Sequence, residues 1–154
     1  MPRVIAETHA DAPHSFRYLE ETPMGQWDAS VKLVYAAEPT TNFAIDDIKS
    51  GDPFDIRADI EVGSGLRSFG GNYTLYLTVR NRTTGLSVGP TLSKAGTVAG
   101  VTGTVPYTYT EVERISAWTA ADGDALDVLA VLRFTAGGNN DYSQVSSPAF
   151  IAVT

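Results

Sequence analysis

Apolar and polar residues alternate with a period of two along most of this chain. Phe54, Ile56, Ala58, Ile60 and Val62 alternate with Asp55, Arg57, Asp59 and Glu61. That is the pattern of a strand with one buried face and one wet face. After a glycine-rich stretch, Tyr73, Leu75, Leu77 and Val79 alternate with Thr74, Tyr76, Thr78 and Arg80. Leu86 and Val88 keep the rhythm beyond the turn residues 81–85. These three strands are the centre around which the remaining chain is organised.

The same pattern extends in both directions. Residues 30–37 read as a strand with Val31, Leu33 and Tyr35 on one side, and residues 42–49 as a short strand with Phe43, Ile45 and Ile48 inward. Residues 50–53, Ser-Gly-Asp-Pro, form a turn, because glycine permits positive φ and proline presets its own φ. Residues 63–72 carry four glycines and read as a loop, with Leu66 and Phe69 capping one end of the core. No lysine follows those glycines and a strand comes next, so the loop is not a phosphate cradle. Residues 92–106 lack a clear period. From Tyr107 the alternation resumes, and its shift near residues 111–114 predicts a bulge or a short helical turn. Within residues 126–136, Leu126, Val128, Ala130, Leu132 and Phe134 share one face while Leu129 and Val131 lie on the other. A strand apolar on both faces is central or covered twice. Residues 137–141 form a hairpin loop, and Phe150, Ile151 and Val153 belong to a last strand.

Eight or nine short strands, separated by turns and without a sustained helical period, predict an all-β, antiparallel β-sandwich. Residues 1–28 are an extended N-terminal arm and residues 29–154 the sandwich domain. Over residues 30–154 the strand spacing resembles the immunoglobulin-like or fibronectin-type-III-like sandwich class. The resemblance is architectural: the Cys…Trp…Cys signature of antibody domains is absent. It implies a fold and no particular function.

The arm differs from the rest. Pro2, Pro13 and Pro23 oppose a long helix. Yet Phe16, Tyr18, Leu19, Met24 and Trp27 make it too apolar to stand free in water, so it packs on its own sandwich or docks on a neighbour. Phe16, Tyr18, Leu19 and Trp27, with Leu129 and Val131 from the two-faced strand, are the candidate interface.

Charge and composition narrow the partners. The chain has 154 residues, a net charge of −7 and no cysteine. A length of this order suits one domain with a full core. Disulfides, a zinc ribbon and a thiol nucleophile are excluded. The Lys and Arg residues are scattered, with Arg80 and Arg82 the nearest approach to a cluster, so no nucleic-acid surface is expected. The opening residues contain no apolar run of signal-peptide length, and no window reaches the length of a membrane span. The expectation is cytoplasmic synthesis, without membrane insertion.

Catalytic chemistry is sparse. The two histidines, His9 and His14, both lie in the arm with Asp11 between them, as polar groups of an extended segment. Asp122, Asp124 and Asp127 around Gly123 are the candidate metal ligands, with calcium as the ion, since hard cations want clustered oxygens. Asp46, Asp47 and Asp52 form a second acidic group. Asp55, Asp59 and Glu61 alternate with core positions and are expected to be solvated. Tyr76 and Trp118 are the aromatics expected to be exposed, where a sugar ring could stack, with Asn139, Asn140 and Asp141 as a polar rim. The sequons at Asn72 and Asn81 read as chance.

The expected function is therefore non-catalytic. The chain reads as a structural or assembly protein, a homo-oligomer or a subunit of a larger particle such as a virion decoration or tail component, with the arm as a clasp. No enzyme activity and no organic cofactor are expected. The alternative is a carbohydrate- or small-ligand-binding module.

Overall fold

The computed structural model describes residues 25–154. The expectations for Phe16, Tyr18, Leu19 and the His9, Asp11 and His14 group lie outside the described residues. In chain order the elements are β1 (Ala29–Ala37), β2 (Asp47–Lys49), β3 (Phe54–Val62), α1 (Ser64–Phe69), β4 (Gly71–Asn81), β5 (Leu86–Ser87), β6 (Leu92–Val98), β7 (Tyr107–Ile115), β8 (Ala125–Ala136), β9 (Asn139–Ser146) and β10 (Phe150–Val153).

They form an all-β sandwich of two sheets. One has the order β1-β3-β7, antiparallel throughout. In the other, β8 is central. β4 lines one side of β8 from the Asn72–Thr135 pair to the Asn81–Leu126 pair. The other side is shared by β10 at Ala125 and Leu126 and by β9 from Leu129 to Ala136. β6 and β5 divide the outer edge of β4. β2 adds to β10 in parallel.

The period-two pattern places the core. Phe54, Ile56, Ala58, Ile60 and Val62 face Tyr73, Leu75, Leu77 and Val79, together with Leu126, Val128, Ala130, Leu132 and Phe134, and all are buried. Phe54 meets the edges of Trp118 and Phe150 at ring-centroid distances of 5.6 and 5.5 Å. Such pairs add to area burial because ring edges and faces carry opposite partial charge.

Polar side chains close both flanks of the sandwich. On one, the edge of β1 is tied to β9: Ala29 N–H donates to Asp141 Oδ2 at 2.7 Å and Val31 N–H to Ser143 Oγ at 3.1 Å. On the other, Glu111 and Glu113 of β7 stand opposite the core residues Ala58 and Ile56 and so point inward. Tyr73 hydroxyl donates to Glu111 Oε1 at 2.8 Å, and Lys94 Nζ of β6 lies 2.9 Å from Glu113 Oε1. Inward charge on an edge strand opposes pairing with foreign strands. Gly96 makes the tyrosine's path: a Cβ there would lie 2.2 Å from the Tyr73 ring.

Several local expectations are corrected. Residues 63–72 are not all loop; they contain α1, and β4 already starts at Gly71. Residues 92–106 include the strand β6, whose alternation is masked by Lys94 and Gly96 at inward positions. The shift in register falls in β1, between Val31 and Leu33, while β7 runs unbroken from Tyr107 to Ile115. Val31, Val34 and Ala36 therefore face the core and Leu33 faces solvent. Phe43 is exposed, Ile45 packs partly on the core and Ile48 is buried. Leu66 packs against the core, whereas Phe69 does not.

Candidate functional site

The end of the sandwich where β1 begins carries the feature most unlike an ordinary surface. Here the chain passes from β3 in one sheet to β4 in the other through α1. Residues 25–28 form a turn, with Asp28 N–H donating to Gly25 O at 3.0 Å. That turn is strapped to α1. Gly65 N–H and Leu66 N–H donate to Gln26 O at 2.7 and 3.1 Å, and Gly63 N–H donates to Asp28 O at 2.8 Å. Two glycines permit the approach. A Cβ on Gly63 would lie 2.6 Å from the backbone of Gln26, and one on Gly65 would lie 2.8 Å from the Trp27 ring.

Trp27 is thereby held against α1, 6.1 Å from the Phe69 ring centroid and tilted by 36°. Both rings stay exposed, Trp27 at 55% and Phe69 at 69%. Arg67 adds neighbours on the same helix. Its Nη1 donates to Val105 O at 3.0 Å and Pro106 O at 3.3 Å, and Val101 N–H donates to Arg67 O at 3.1 Å. Val101 and Val105 are themselves exposed. The result is an exposed aromatic pair on a hydrogen-bonded base, with two exposed valines on the segment bonded to the same helix.

Of the candidate interface residues, Trp27 belongs to this pair. Leu129 and Val131 do not. They lie in mid-sheet on the outer side of β8, paired with Thr78 and Tyr76, and are half-buried.

The three aspartates read as metal ligands are not brought together. Asp122 Oδ1 accepts from Thr154 N–H at 3.0 Å. Asp124 is buried, and its Oδ2 accepts from Asn81 Nδ2 at 2.7 Å and from Ala121 N–H at 3.1 Å. Asp127, also buried, takes both Arg80 Nε at 2.9 Å and Arg80 Nη2 at 2.7 Å. That bidentate bond raises the Arg80 pKa above its ordinary value. Each carboxylate is committed to a protein donor, and period-two geometry sends Asp127 away from the turn. Among the described residues no group of three or more His, Asp or Glu is placed to hold a metal ion, which applies to Asp46, Asp47 and Asp52 as well.

The expected sugar platform is also dispersed. Tyr76 is exposed, but Trp118 is only 5% exposed, with its Nε1 donating to Asp52 O at 2.6 Å. Asn140 Oδ1 accepts from Thr135 and Arg133, and Asp141 Oδ2 from Ala29, so this rim is engaged in the fold. Asp55, expected in solvent, is 3% exposed and paired with Arg114. The Arg114 hydrogen bonds hold its carboxyl below the usual carboxylate range.

Sequence reasoning missed Phe69 and the strapping glycines as site elements. The signal was present in the Gly-x-Gly at residues 63–65, which opens the helix, but helix pattern is hard to read in six residues.

No family model matches the chain, and no curated protein matches it. Among solved structures it is similar to a beta-glucuronidase from glycoside hydrolase family 2, with a TM-score of 0.45 and 13% identity, over 78% of this chain and 12% of that one. It is also similar to Spo0M, a sporulation control protein from Bacillus subtilis, with a TM-score of 0.36 and 12% identity, over 85% of this chain and 51% of that one. The chain thus spans a small part of the first and about half of the second.

Proposed function

We propose that this is a non-catalytic structural protein that assembles with further copies of itself, as an oligomer or as a subunit of a larger particle of the decoration or tail type. Its N-terminal segment acts as the clasp. The observation that carries this reading is the Trp27–Phe69 pair. A single exposed apolar side chain is ordinary. Two neighbouring aromatic rings, with exposed Val101 and Val105 on the segment bonded to the same helix, have the composition found at the centres of interfaces. The base beneath them is rigid, so little ordering entropy opposes docking. The pair also stands where the chain enters from residues 1–24, a segment whose sequence includes Phe16, Tyr18 and Leu19.

The strand order supports an immunoglobulin-like reading of the sandwich, since three strands, β1-β3-β7, oppose the row β6-β4-β8-β9. That reading adds no activity.

The test is a chain of residues 25–154, cut where the strapped turn begins. It is expected to fold as the full chain does, by circular dichroism, and to remain a monomer where the full chain assembles. Loss of the fold would instead make residues 1–24 part of the protein's own core.

A further inference from the structure

At the opposite end of the sandwich an open cleft of about 680 Å³ separates the β4–β5 hairpin from residues 116–119. We infer that this cleft binds a neutral, hydroxyl-rich ligand, an oligosaccharide by its chemistry. Its walls come from different sheets, because the hairpin leaves β4 and residues 116–119 follow β7. Its size falls within the range of small-molecule sites.

Both walls are fixed in advance. Asn81 holds the hairpin from beneath: its Oδ1 accepts from Thr83 N–H and Thr84 N–H at 3.0 and 3.1 Å, and its Nδ2 donates to buried Asp124. The other wall is pinned by Trp118 Nε1 on Asp52 O and by Ala120 N–H on Ser50 Oγ at 3.0 Å. A preformed cleft loses little entropy on binding.

The lining decides the ligand class. Ser116 and Thr119 line the cleft with hydroxyls that make no hydrogen bond to the described residues, and Thr84 adds a hydroxyl on the hairpin side. Leu86, 69% exposed, supplies an apolar surface on the same rim. Among the described residues no Asp, Glu, Lys, Arg or His lines the cleft, in a protein whose net charge is −7. Phosphates and carboxylates therefore find no counter-charge, while hydroxyl groups with an apolar C–H face find both kinds of partner. A second recess of about 160 Å³ lies beside it, beyond Gly89 and Ser116 toward Leu92. Its one charged side chain, Arg114, is held by Asp55. Two hollows side by side, with Gly89, Ser116 and Ala117 in both walls, suit a chain of sugar units rather than a single ring. With the Trp118 ring buried there is no stacking platform, so affinity is expected to be modest, with dissociation constants of roughly 0.1–1 mM.

The experiment is an NMR titration of the 15N-labelled full chain with hexaoses of α-1,4-glucose, β-1,4-glucose, β-1,4-xylose, β-1,4-mannose and N-acetylglucosamine. At least one is expected to shift the amides of Ser87, Gly89 and Ser116 and the Trp118 indole saturably. Ser116→Arg and Thr119→Arg are each expected to weaken that binding about tenfold or more. Both positions are exposed and their side chains make no bonds, so the remaining spectrum should be unchanged. Leu86→Arg is a further variant should either fail to fold. Removal of residues 1–24, which join the other end, should leave binding intact. The inference is overturned if none of the five hexaoses moves these resonances, if the shifts map elsewhere, or if the arginine variants bind as the parent does.

Discussion

Asn81 donates its side-chain amide to Asp124 Oδ2 at 2.7 Å, and both residues are buried. One amide thus joins the β4–β5 hairpin to the turn before β8. Asn81→Ala would remove this bond and the two that Asn81 Oδ1 accepts from the hairpin backbone. A buried carboxylate left short of a partner costs about 1–3 kcal/mol or more. The expected loss is about 3 kcal/mol by urea denaturation. Because Asp124 is bonded to protein donors, thermal melts with and without a calcium chelator should superimpose.

Asp55 makes the stability depend on acid. Arg114, followed by Thr40 N–H at 2.7 Å, favours the ionised carboxylate and lowers its pKa from an ordinary 3.8, although burial opposes this. A carboxylate with a depressed folded-state pKa contributes stability that is fully present above the unfolded value and is lost as pH falls through the folded one. Unfolding free energy measured from pH 6 downward should therefore decline below about pH 4, and Asp55→Asn should flatten that decline. Thr40 also sits at φ +64°, a region uncommon for a β-branched residue. Thr40→Gly should therefore leave stability unchanged or raise it by up to about 1 kcal/mol, since glycine relieves the strain and offsets its own entropy cost.

Tyr73 reaches Glu111 only because Gly96 has no side chain. Gly96→Ala should cost about 1–3 kcal/mol by overpacking, since the Cβ would overlap the ring rather than a flexible tip. Tyr73→Phe, which loses the hydroxyl alone, should cost about 1 kcal/mol. Burial, and then the Glu111 hydrogen bond, push the Tyr73 hydroxyl pKa far above its ordinary value. In a spectrophotometric titration this tyrosine should ionise only when the protein unfolds in base.

The two faces of β8 should respond differently. Leu132 is fully buried between the sheets and Val131 is half-buried on the outer side. Leu132→Ala should cost about 2–5 kcal/mol. Val131→Ala should cost under about 1 kcal/mol, as only part of the side chain leaves its contacts.

The sandwich was legible because its core strands obey period two without interruption, from Phe54 to Val62 and from Tyr73 to Val79. Legibility failed where one residue broke the phase or a polar group faced inward. The bulge near Val31 turned Leu33 outward. Lys94, Glu111 and Glu113 point into the flank of the sandwich, so β6 looked formless and β7 seemed to slip. Burial of Asp55 and Trp118 depends on partners 59 and 66 positions away, which no local window contains. The aspartates near Gly123 looked like a cluster because they are close in sequence; beside the local Ala121 N–H, their donors Asn81, Arg80 and Thr154 come from elsewhere in the chain. The sequence pattern places Phe69 at the end of the core, whereas the structure sets its ring beside Trp27 at the surface.

The assembly reading is tested most directly by solution mass. Light scattering coupled to size exclusion would be run on the full chain at two concentrations, beside a Trp27→Ser, Phe69→Ser double variant. The account predicts a mass that is a multiple of 16.4 kDa for the full chain and a folded monomer for the variant. A full chain that remains at 16.4 kDa at both concentrations, or a variant that assembles as the parent does, would contradict it.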